Sequence, residues 1–238
     1  MRIGIMQPDL LPYLGYFHLM DAVDLFVILD DVKFSKGGWV NRNRILVGGK
    51  IKWVTAPISS TENLICDKTY LTSEKFFRQL RATISQSYSK TAGLSSVIEI
   101  IDHWEGLDSA NVSEVNMAML RGVLNQVSSR RPEFIPVSSL GLSSDLNGQE
   151  RVIAAVKKLD GSSYVNLPGG RNLYAADKFA DAGVELSFVS SSFAKYPQQS
   201  DAFIEGLSVL DALLMAPDDV QHLTGSKSYE LIPADHAQ

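Results

Sequence analysis

Residues 1–44 read MRIGIMQPDLLPYLGYFHLMDAVDLFVILDDVKFSKGGWVNRNR, and their pattern predicts the fold. Residues 2–6 form a short apolar strand that Pro8 ends, because proline has no ladder N–H and a fixed φ. A helix is predicted at about 13–22, and the apolar run 24–29 has the length of a strand buried on both faces. Such a strand–helix–strand unit brings the residues after both strands to one sheet edge, where open α/β sheets bind ligands.

The rest of the chain predicts more strands, separated by a block of helices. Gly48-Gly49 indicates a hairpin between residues 44–47 and 51–58. Helices are predicted from Ser73, at 94–104, from Asn111 or Ser113 to Val127, and at 149–159, 174–182 and 202–215, and strands at 134–137, 163–167 and 184–189. We therefore predict one α/β domain over residues 1–238, with an open, mostly parallel, Rossmann-like sheet that loosely resembles the nucleotidyltransferase fold. Residues 73–130 are expected to form a helical insertion or layer, and residues 229–238 a soft tail.

The composition excludes several classes of protein. A net charge of −5 and a sequence pI of about 5.4 give no global positive field, so nonspecific nucleic-acid binding is not expected. Cys66 is the single cysteine, so neither an internal disulfide nor a structural zinc site is expected, and no metal site is predicted. The chain has no signal-peptide pattern and no run of 18 apolar residues, which predicts a cytoplasmic protein without membrane insertion.

Three residues near the predicted sheet edge are candidate catalytic groups. Asp30 and Asp31 end the second strand, where carboxylates bind Mg²⁺ or act as bases, although capping of the next loop explains them equally well. His18 is a candidate general base because its ordinary pKa lies near neutral pH. A lone histidine on a helix more often has a structural role.

The loop at residues 30–44 carries the most specific signal for binding. Arg42 and Arg44 supply forks that suit carboxylate or phosphate, while Trp39 either stacks on a sugar or base or fills the core. In a strand, the alternation over residues 41–44 places both arginines on one face and both asparagines on the other. The candidate substrate-binding residues are Gln7, Tyr13, Lys36, Trp39, Asn41, Arg42, Asn43, Arg44, Gly169, Gly170, Arg171, Tyr196 and Gln198.

Four loops follow predicted strands and are expected at the same end of the sheet, namely 7–18, 30–44, 168–174 and 193–199. In the third loop, the two glycines permit close backbone approach to a ligand, and Arg171 is a candidate anion partner. The first loop loosely resembles the Pro-x-x-Gly-His turn of nucleotidyltransferases, with Tyr16 where the histidine would stand. A helix N-terminus favours phosphate, but a proline and a glycine there are also common for structural reasons.

Together these motifs resemble the WbqC-like protein family. The resemblance is carried by Gln7-Pro8, residues 12–17, residues 30–44, Gly169-Gly170, residues 196–198 and residues 207–211. Members of that family lie in bacterial gene clusters for O-antigen and other surface polysaccharides, and the resemblance implies an activity such as glycine transfer onto a sugar amine. It carries over no catalytic residues.

Three functions follow from these observations. The first is an acyl or aminoacyl transferase that forms an amide on an amino sugar, presented as a sugar nucleotide or a lipid-linked glycan. Its expected groups are a base (His18 or Asp31), an anion clamp (Lys36, Arg42, Arg44), oxyanion donors (Asn41 or Asn43) and an acyl-carrying thiol (Cys66). The second is a ligase or nucleotidyltransferase-like enzyme that activates a carboxylate with ATP and Mg²⁺, and the third is a sugar-nucleotide binding module without catalysis.

Overall fold

The structure is a computed structural model that describes residues 1–146, 148–192 and 195–234. Its strands are β1 (Arg2–Met6), β2 (Leu25–Ile28), β3 (Arg42–Val47), β4 (Lys50–Thr55), β5 (Glu133–Pro136), β6 (Ser163–Asn166), β7 (Glu185–Ser191) and β8 (Tyr229–Pro233). Its helices are α1 (Leu14–Ala22), α2 (Glu74–Ser87), α3 (Leu94–Glu105), α4 (Val112–Val127), α5 (Gly148–Lys158), α6 (Ala176–Asp181), α7 (Val209–Met215) and α8 (Val220–Thr224). No helix in these ranges is long and apolar enough to cross a membrane.

The main sheet is mostly parallel, as predicted. Its strand order is β5-β2-β1-β6-β7-β8, and only β8, which pairs with β7, is antiparallel. Since β2 and β6 flank β1 on opposite sides, the direction of winding reverses between β1 and β6. Ligands of open α/β sheets bind outside the carboxyl ends of the strands at such a reversal. A ligand site is therefore expected next to the segment that follows β1.

Side-chain alternation in β1 explains why helices cover both faces of the sheet. Ile3 and Ile5 face the core beneath α5 and α6, whereas Gly4 faces α1. A Cβ at Gly4 would lie 3.3 Å from Leu19 and 3.4 Å from Val23, so the glycine lets α1 pack closely on the strand. The start of α1 is thereby held directly beside the carboxyl end of β1.

Local signals place the helices of the middle third correctly. The Ser73 side chain caps α2 by accepting from the Phe76 N–H, and Asn111 caps α4 by accepting from the Glu114 N–H. Apolar faces of α2, α3 and α4 join the same buried cluster as one face of β2. The three helices therefore share one buried core with the sheet.

Two predictions for the last third are wrong. The helix expected at 202–215 begins only at Val209, because Gly206 adopts φ 68° and the Ser208 side chain caps the helix by accepting from the Leu210 N–H. Residues 229–233 of the expected soft tail form β8, paired with β7. The end of that tail, 235–238, lies outside the described residues, as do Asn147 of the loop before α5 and residues 193–194 of the loop after β7.

Candidate functional site

A cleft of about 250 Å³ lies beyond the carboxyl end of β1. Three segments form it: the loop that leads into α1, the start of β3 with the loop before it, and the turn before α7. Its lining residues are Asp9, Pro12, Tyr13, Trp39, Asn43, Arg44 and Gly206. The volume approaches the lower end of the range for small-molecule sites, about 300–1,000 Å³.

Asn43 fixes the first wall of the cleft to the second. Its buried carboxamide donates hydrogen bonds to the carbonyls of Leu10 and Leu11, both at 2.9 Å, and the Leu10 N–H donates to the Trp39 carbonyl at 3.0 Å. Leu11 has φ 45°, which is uncommon for a residue with a side chain. Both amide hydrogens of Asn43 are thus used to hold the loop.

Ser208 fixes the third wall. Its backbone N–H donates to the Arg44 carbonyl at 2.8 Å, and its hydroxyl donates to the Leu11 carbonyl at 2.7 Å. This close contact favours glycine at position 206, because a Cβ there would lie 2.8 Å from Arg44 Nη2. The turn before α7 therefore presses directly on the arginine that lines the cleft.

Asp9 supplies the ionisable carboxyl of the cleft, and sequence reasoning missed it. Burial raises the pKa of this side chain from 3.8 to about 7. Within the described parts of the chain, no group donates a hydrogen bond or forms an ion pair that would stabilise its charged form. A carboxyl that is half protonated near neutral pH can accept or donate a proton during a reaction. The position of Asp9 just after the first predicted strand is the sequence signal that could have identified it as a site residue.

Tyr13 forms the aromatic wall next to Asp9. The space that a Cβ at Gly15 would need is taken by the Tyr13 ring, so the glycine of the Pro12–Tyr16 turn serves this packing. Burial, together with the charge of Asp9, raises the pKa of the Tyr13 phenol to about 12. The phenol therefore stays protonated at neutral pH.

Arg44 supplies the cation of the cleft. Its Nη2 donates to the carbonyls of Glu205 and Gly206, at 3.3 and 2.8 Å, and its guanidinium carbon lies 5.1 Å from the Trp39 ring centroid. Trp39 itself is 39% exposed. The cleft lining thus combines an acid, a guanidinium and exposed aromatic surface.

Trp53 extends this aromatic surface outside the cleft and was also missed. Its ring centroid lies 5.2 Å from that of Trp39, and its side chain is 41% exposed. Gly48 and Gly49 form the two-residue turn of the hairpin with φ 58° and 75°, which sets the register and pairs Arg44 with Trp53. The predicted hairpin, with its two-glycine turn, therefore already indicated that Trp53 lies opposite Arg44.

The predicted alternation in residues 41–44 is confirmed. Asn41 and Asn43 are buried, and the Asn41 carboxamide donates to the Ala56 carbonyl at 2.8 Å. Arg42 and Arg44 both lie over Trp53 on the other face, with Arg42 only 4.2 Å from the ring centroid. The asparagines therefore position the strand, while the arginines remain partly accessible.

Asp30 and Asp31 do not line the cleft and bind other side chains instead. The Asp30 carboxylate accepts from the hydroxyls of Ser113 and Ser138, both at 2.9 Å, and from the Ser138 N–H at 3.0 Å. Asp31 forms a two-pronged ion pair with Arg151 on α5. Their catalytic role stays a prediction, and the contacts describe carboxylates that join the segment after β2 to α4, to the turn after β5 and to α5.

His18 is buried within α1 and faces away from the cleft's lining residues. Its Nε2 lies 2.7 Å from the Leu223 carbonyl and its Nδ1 lies 2.8 Å from the Ser191 hydroxyl. A carbonyl only accepts, so Nε2 carries the proton and Nδ1 accepts from the serine. Burial lowers the pKa of the imidazole. These contacts indicate a neutral structural histidine, and its catalytic role stays a prediction.

The glycine turn after β6 is built for packing on its own strand. Gly170 is buried where a Cβ would overlap the Asn166 side chain, whereas Gly169 faces open space. The Arg171 guanidinium lies 5.6 Å from the Phe188 ring centroid, and its buried Nε has no hydrogen-bond partner in the described chain. None of these residues lines the cleft.

The remaining candidates have separate positions. Tyr196 is buried and donates to Asp211 at 2.9 Å, and Gln198 bonds twice to the Ile204 backbone, so both shape the segment before the cleft turn. Gln7 is half-buried, with its carbonyl accepting from the Tyr16 hydroxyl, and Lys36 is exposed. These residues support or surround the cleft without lining it.

Cys66 is poorly suited to carry an acyl group. Burial and the nearby charges of Asp67, Asp30 and Asp31 raise the pKa of its thiol to about 11. The thiolate is the nucleophilic form, so very little of it exists at neutral pH.

Elsewhere in the described residues there is no metal cluster, and two other hollows, of about 270 and 670 Å³, exceed the cleft in volume. No group of three or more His, Cys, Asp or Glu side chains in these residues is arranged to hold a metal ion. A larger groove of about 670 Å³ lies between α6, β7 and Pro233, but its edge is Ala234, where the described chain ends. We therefore base no site on it.

Comparisons with known proteins give a family and a distant relative. The sequence model of the WbqC-like protein family matches residues 7–222, which includes every residue that lines the cleft. The chain is 23% identical over 239 residues to a Mycobacterium tuberculosis protein named uncharacterized protein Rv1507c, covering 93% of this chain and 98% of the relative. No solved structure matches the chain.

Proposed function

This chain belongs to the WbqC-like protein family, and from that premise we propose that it is a transferase that forms an amide on the amino group of a sugar. The transferred group is an acyl or aminoacyl group, such as glycine, and the product is a building block of an O-antigen or other surface polysaccharide. The observation that carries the proposal is Asp9, a carboxyl with a pKa of about 7 that lines a cleft beside exposed aromatic rings.

The cleft has the features that a sugar acceptor needs. Sugar rings bind through their apolar faces to aromatic side chains, and Tyr13 and Trp39 supply such surfaces here. Arg44 supplies charge-assisted hydrogen bonds for a carboxylate or phosphate on the sugar. The 250 Å³ volume suits one sugar unit better than a long chain.

Amide formation assigns a defined task to Asp9. The amine attacks the carbonyl carbon of an activated acyl donor, the new C–N bond forms, and the bond to the leaving group breaks. The nitrogen must lose a proton in this process, and the Asp9 carboxylate accepts it. A general base works best when its pKa is near the pH of the reaction. Amino groups of the α-amino type titrate near pH 8.

Asn41 and Asn43 do not enter this mechanism. Asn43 uses both amide hydrogens on backbone carbonyls, and buried Asn41 donates to the Ala56 carbonyl and does not line the cleft, so neither is placed to stabilise a developing oxyanion. The ATP-dependent alternative is also less well supported, because Asp30 and Asp31, its expected magnesium ligands, bond to serine and arginine side chains. Binding of a sugar nucleotide without turnover stays an alternative, for which the aromatic surface alone would be sufficient.

The test is a search for the amide product. The protein is incubated with UDP- and dTDP-linked amino sugars and with activated acyl and aminoacyl donors, with and without ATP, and products are identified by mass spectrometry. We expect an amide whose formation falls at least 100-fold in Asp9→Asn, consistent with the usual contribution of a general base. Asp145→Asn, a change of an exposed carboxylate, is the control and should keep full activity. Equal activity of the two variants would reject Asp9 as the base.

A further inference from the structure

We propose that the outer face of the β3–β4 hairpin binds the diphosphate of a sugar nucleotide, with Trp53 as the surface on which the nucleobase stacks. The outer face is defined by Arg42, Arg44 and Trp53, which lie on the same side of the hairpin. The inference rests on the proposed function, since it names the form in which the amino sugar reaches the cleft.

The hairpin region is strongly basic on an acidic protein. Residues 32–61 contain no Asp or Glu, while the whole chain has a net charge of −5. Their basic residues are Lys33, Lys36, Arg42, Arg44, Lys50 and Lys52. Clustered charge of one sign attracts ligands of the opposite sign and raises their local concentration. An anionic ligand is therefore directed to this segment of the molecule.

The two arginines are held in place without being neutralised. Arg42 Nε donates to the Gly38 carbonyl at 3.1 Å and its Nη2 donates to the Gly37 carbonyl. Arg44 is held in the same way by the carbonyls of residues 205–206. Neither has a carboxylate partner within 4.0 Å in the described chain, whose ion pairs all involve other arginines.

Such fixed guanidinium groups are well prepared for an oxyanion. Carbonyl oxygens orient the side chains but leave their full positive charge, and each arginine keeps Nη1 without a hydrogen bond to the described protein. Little side-chain freedom remains to be lost when phosphate binds, and Arg forms strong charge-assisted bonds to phosphate oxygens.

The aromatic residues order the parts of the ligand. Arg44 and Trp39 line the cleft, so a sugar next to Asp9 directs its anomeric substituent toward Arg44. Both guanidinium carbons lie within 6 Å of the Trp53 ring centroid, at 4.2 and 5.9 Å, which brings them close enough to share one diphosphate. Trp53 contacts both guanidinium groups, does not line the cleft and is 41% exposed, as a surface for base stacking requires.

The test measures binding without any acyl donor. Wild-type protein is titrated by calorimetry with UDP, uridine, inorganic pyrophosphate, farnesyl diphosphate and a single-stranded oligonucleotide. We expect UDP to bind at least tenfold more tightly than uridine or pyrophosphate, because only UDP supplies both parts. Arg42→Gln and Arg44→Gln should each weaken UDP at least tenfold.

Trp53 variants separate stacking from charge. Trp53→Ala and Trp53→Leu should weaken UDP at least fivefold but leave pyrophosphate affinity unchanged. The matched control is Lys158→Gln, which removes one exposed positive charge from α5, outside residues 32–61, and should change UDP affinity less than twofold. Since Trp53 is exposed, these variants should fold, and circular dichroism checks this.

Three results would overturn the inference. In the first, the arginine and Trp53 variants bind UDP as tightly as the wild type does. In the second, farnesyl diphosphate binds more tightly than UDP, and in the third, a single-stranded oligonucleotide does. If UDP binds as expected and no donor yields an amide, the proposed transferase function fails while this site stands. If an amide forms and UDP does not bind, the reverse holds.

Discussion

Arg44 and Trp53 lie directly opposite each other in the β3–β4 hairpin, with the guanidinium carbon of Arg44 5.9 Å from the Trp53 ring centroid. The same guanidinium donates to the Gly206 carbonyl, 162 residues further along the chain. The cleft and the hairpin surface therefore depend on one arginine whose position is set by a distant turn.

Gly206→Ala tests that dependence. Its φ of 68° makes alanine unfavourable by roughly 1–2 kcal/mol, and the new Cβ would lie 2.8 Å from Arg44 Nη2 and displace it. Gly141→Ala is the matched control, because its φ is 58° and nothing lies within 4 Å of a Cβ there. We expect similar losses of stability in both variants but a loss of UDP affinity of about fivefold or more in Gly206→Ala alone. Equal affinities would show that the turn does not position Arg44.

Asp9 should make stability fall as pH rises from about 4 to about 7. Its folded-state pKa is raised from 3.8 to about 7, so in this window the native state keeps a proton that the unfolded state has lost. The loss is complete above pH 7. Asp9→Asn should then be more stable than wild type at pH 8, on the order of 2 kcal/mol after allowance for solvent exposure, with little difference at pH 4. Urea unfolding at both pH values measures this, and a constant difference would contradict it.

His18 should contribute the opposite pH dependence. Burial lowers its folded-state pKa, so on acidification below the ordinary value of 6.5 the unfolded state takes up a proton before the native state does. Wild-type stability is therefore lost as pH falls below about 6.5. His18→Gln should be less stable at neutral pH by roughly 1–3 kcal/mol, because buried polar partners lose their bonds, and should lose less on acidification. Parallel melting curves against pH would exclude this role.

The Asp31–Arg151 ion pair should contribute to stability. Both side chains are only 13% exposed, so removal of one partner leaves a poorly solvated charge. Asp31→Asn is expected to lower the free energy of unfolding by roughly 3 kcal/mol, and the double variant with Arg151→Gln should recover part of that loss. Activity per folded molecule should stay within twofold of wild type. A large loss of activity with unchanged stability would instead support the catalytic role predicted from sequence.

Local sequence signals accounted for most of the elements. Proline and glycine positions, apolar periodicity and capping residues such as Ser73 and Asn111 act within a few residues, so they define a strand or helix wherever the chain later packs. The hairpin is of the same kind, because its two-glycine turn fixes the pairing that brings Arg44 to Trp53. Even this part of the site was contained in the sequence.

Only the tertiary structure decided which polar groups are occupied and which face the cleft. Asp31 is paired with an arginine 120 residues away, and Asp9 owes its raised pKa to burial where three distant segments meet. The chain after β7 behaves likewise, since residues 229–233 become a strand only by pairing with β7. Desolvation and pairing depend on neighbours that are remote along the chain, and no local pattern of residue types specifies them.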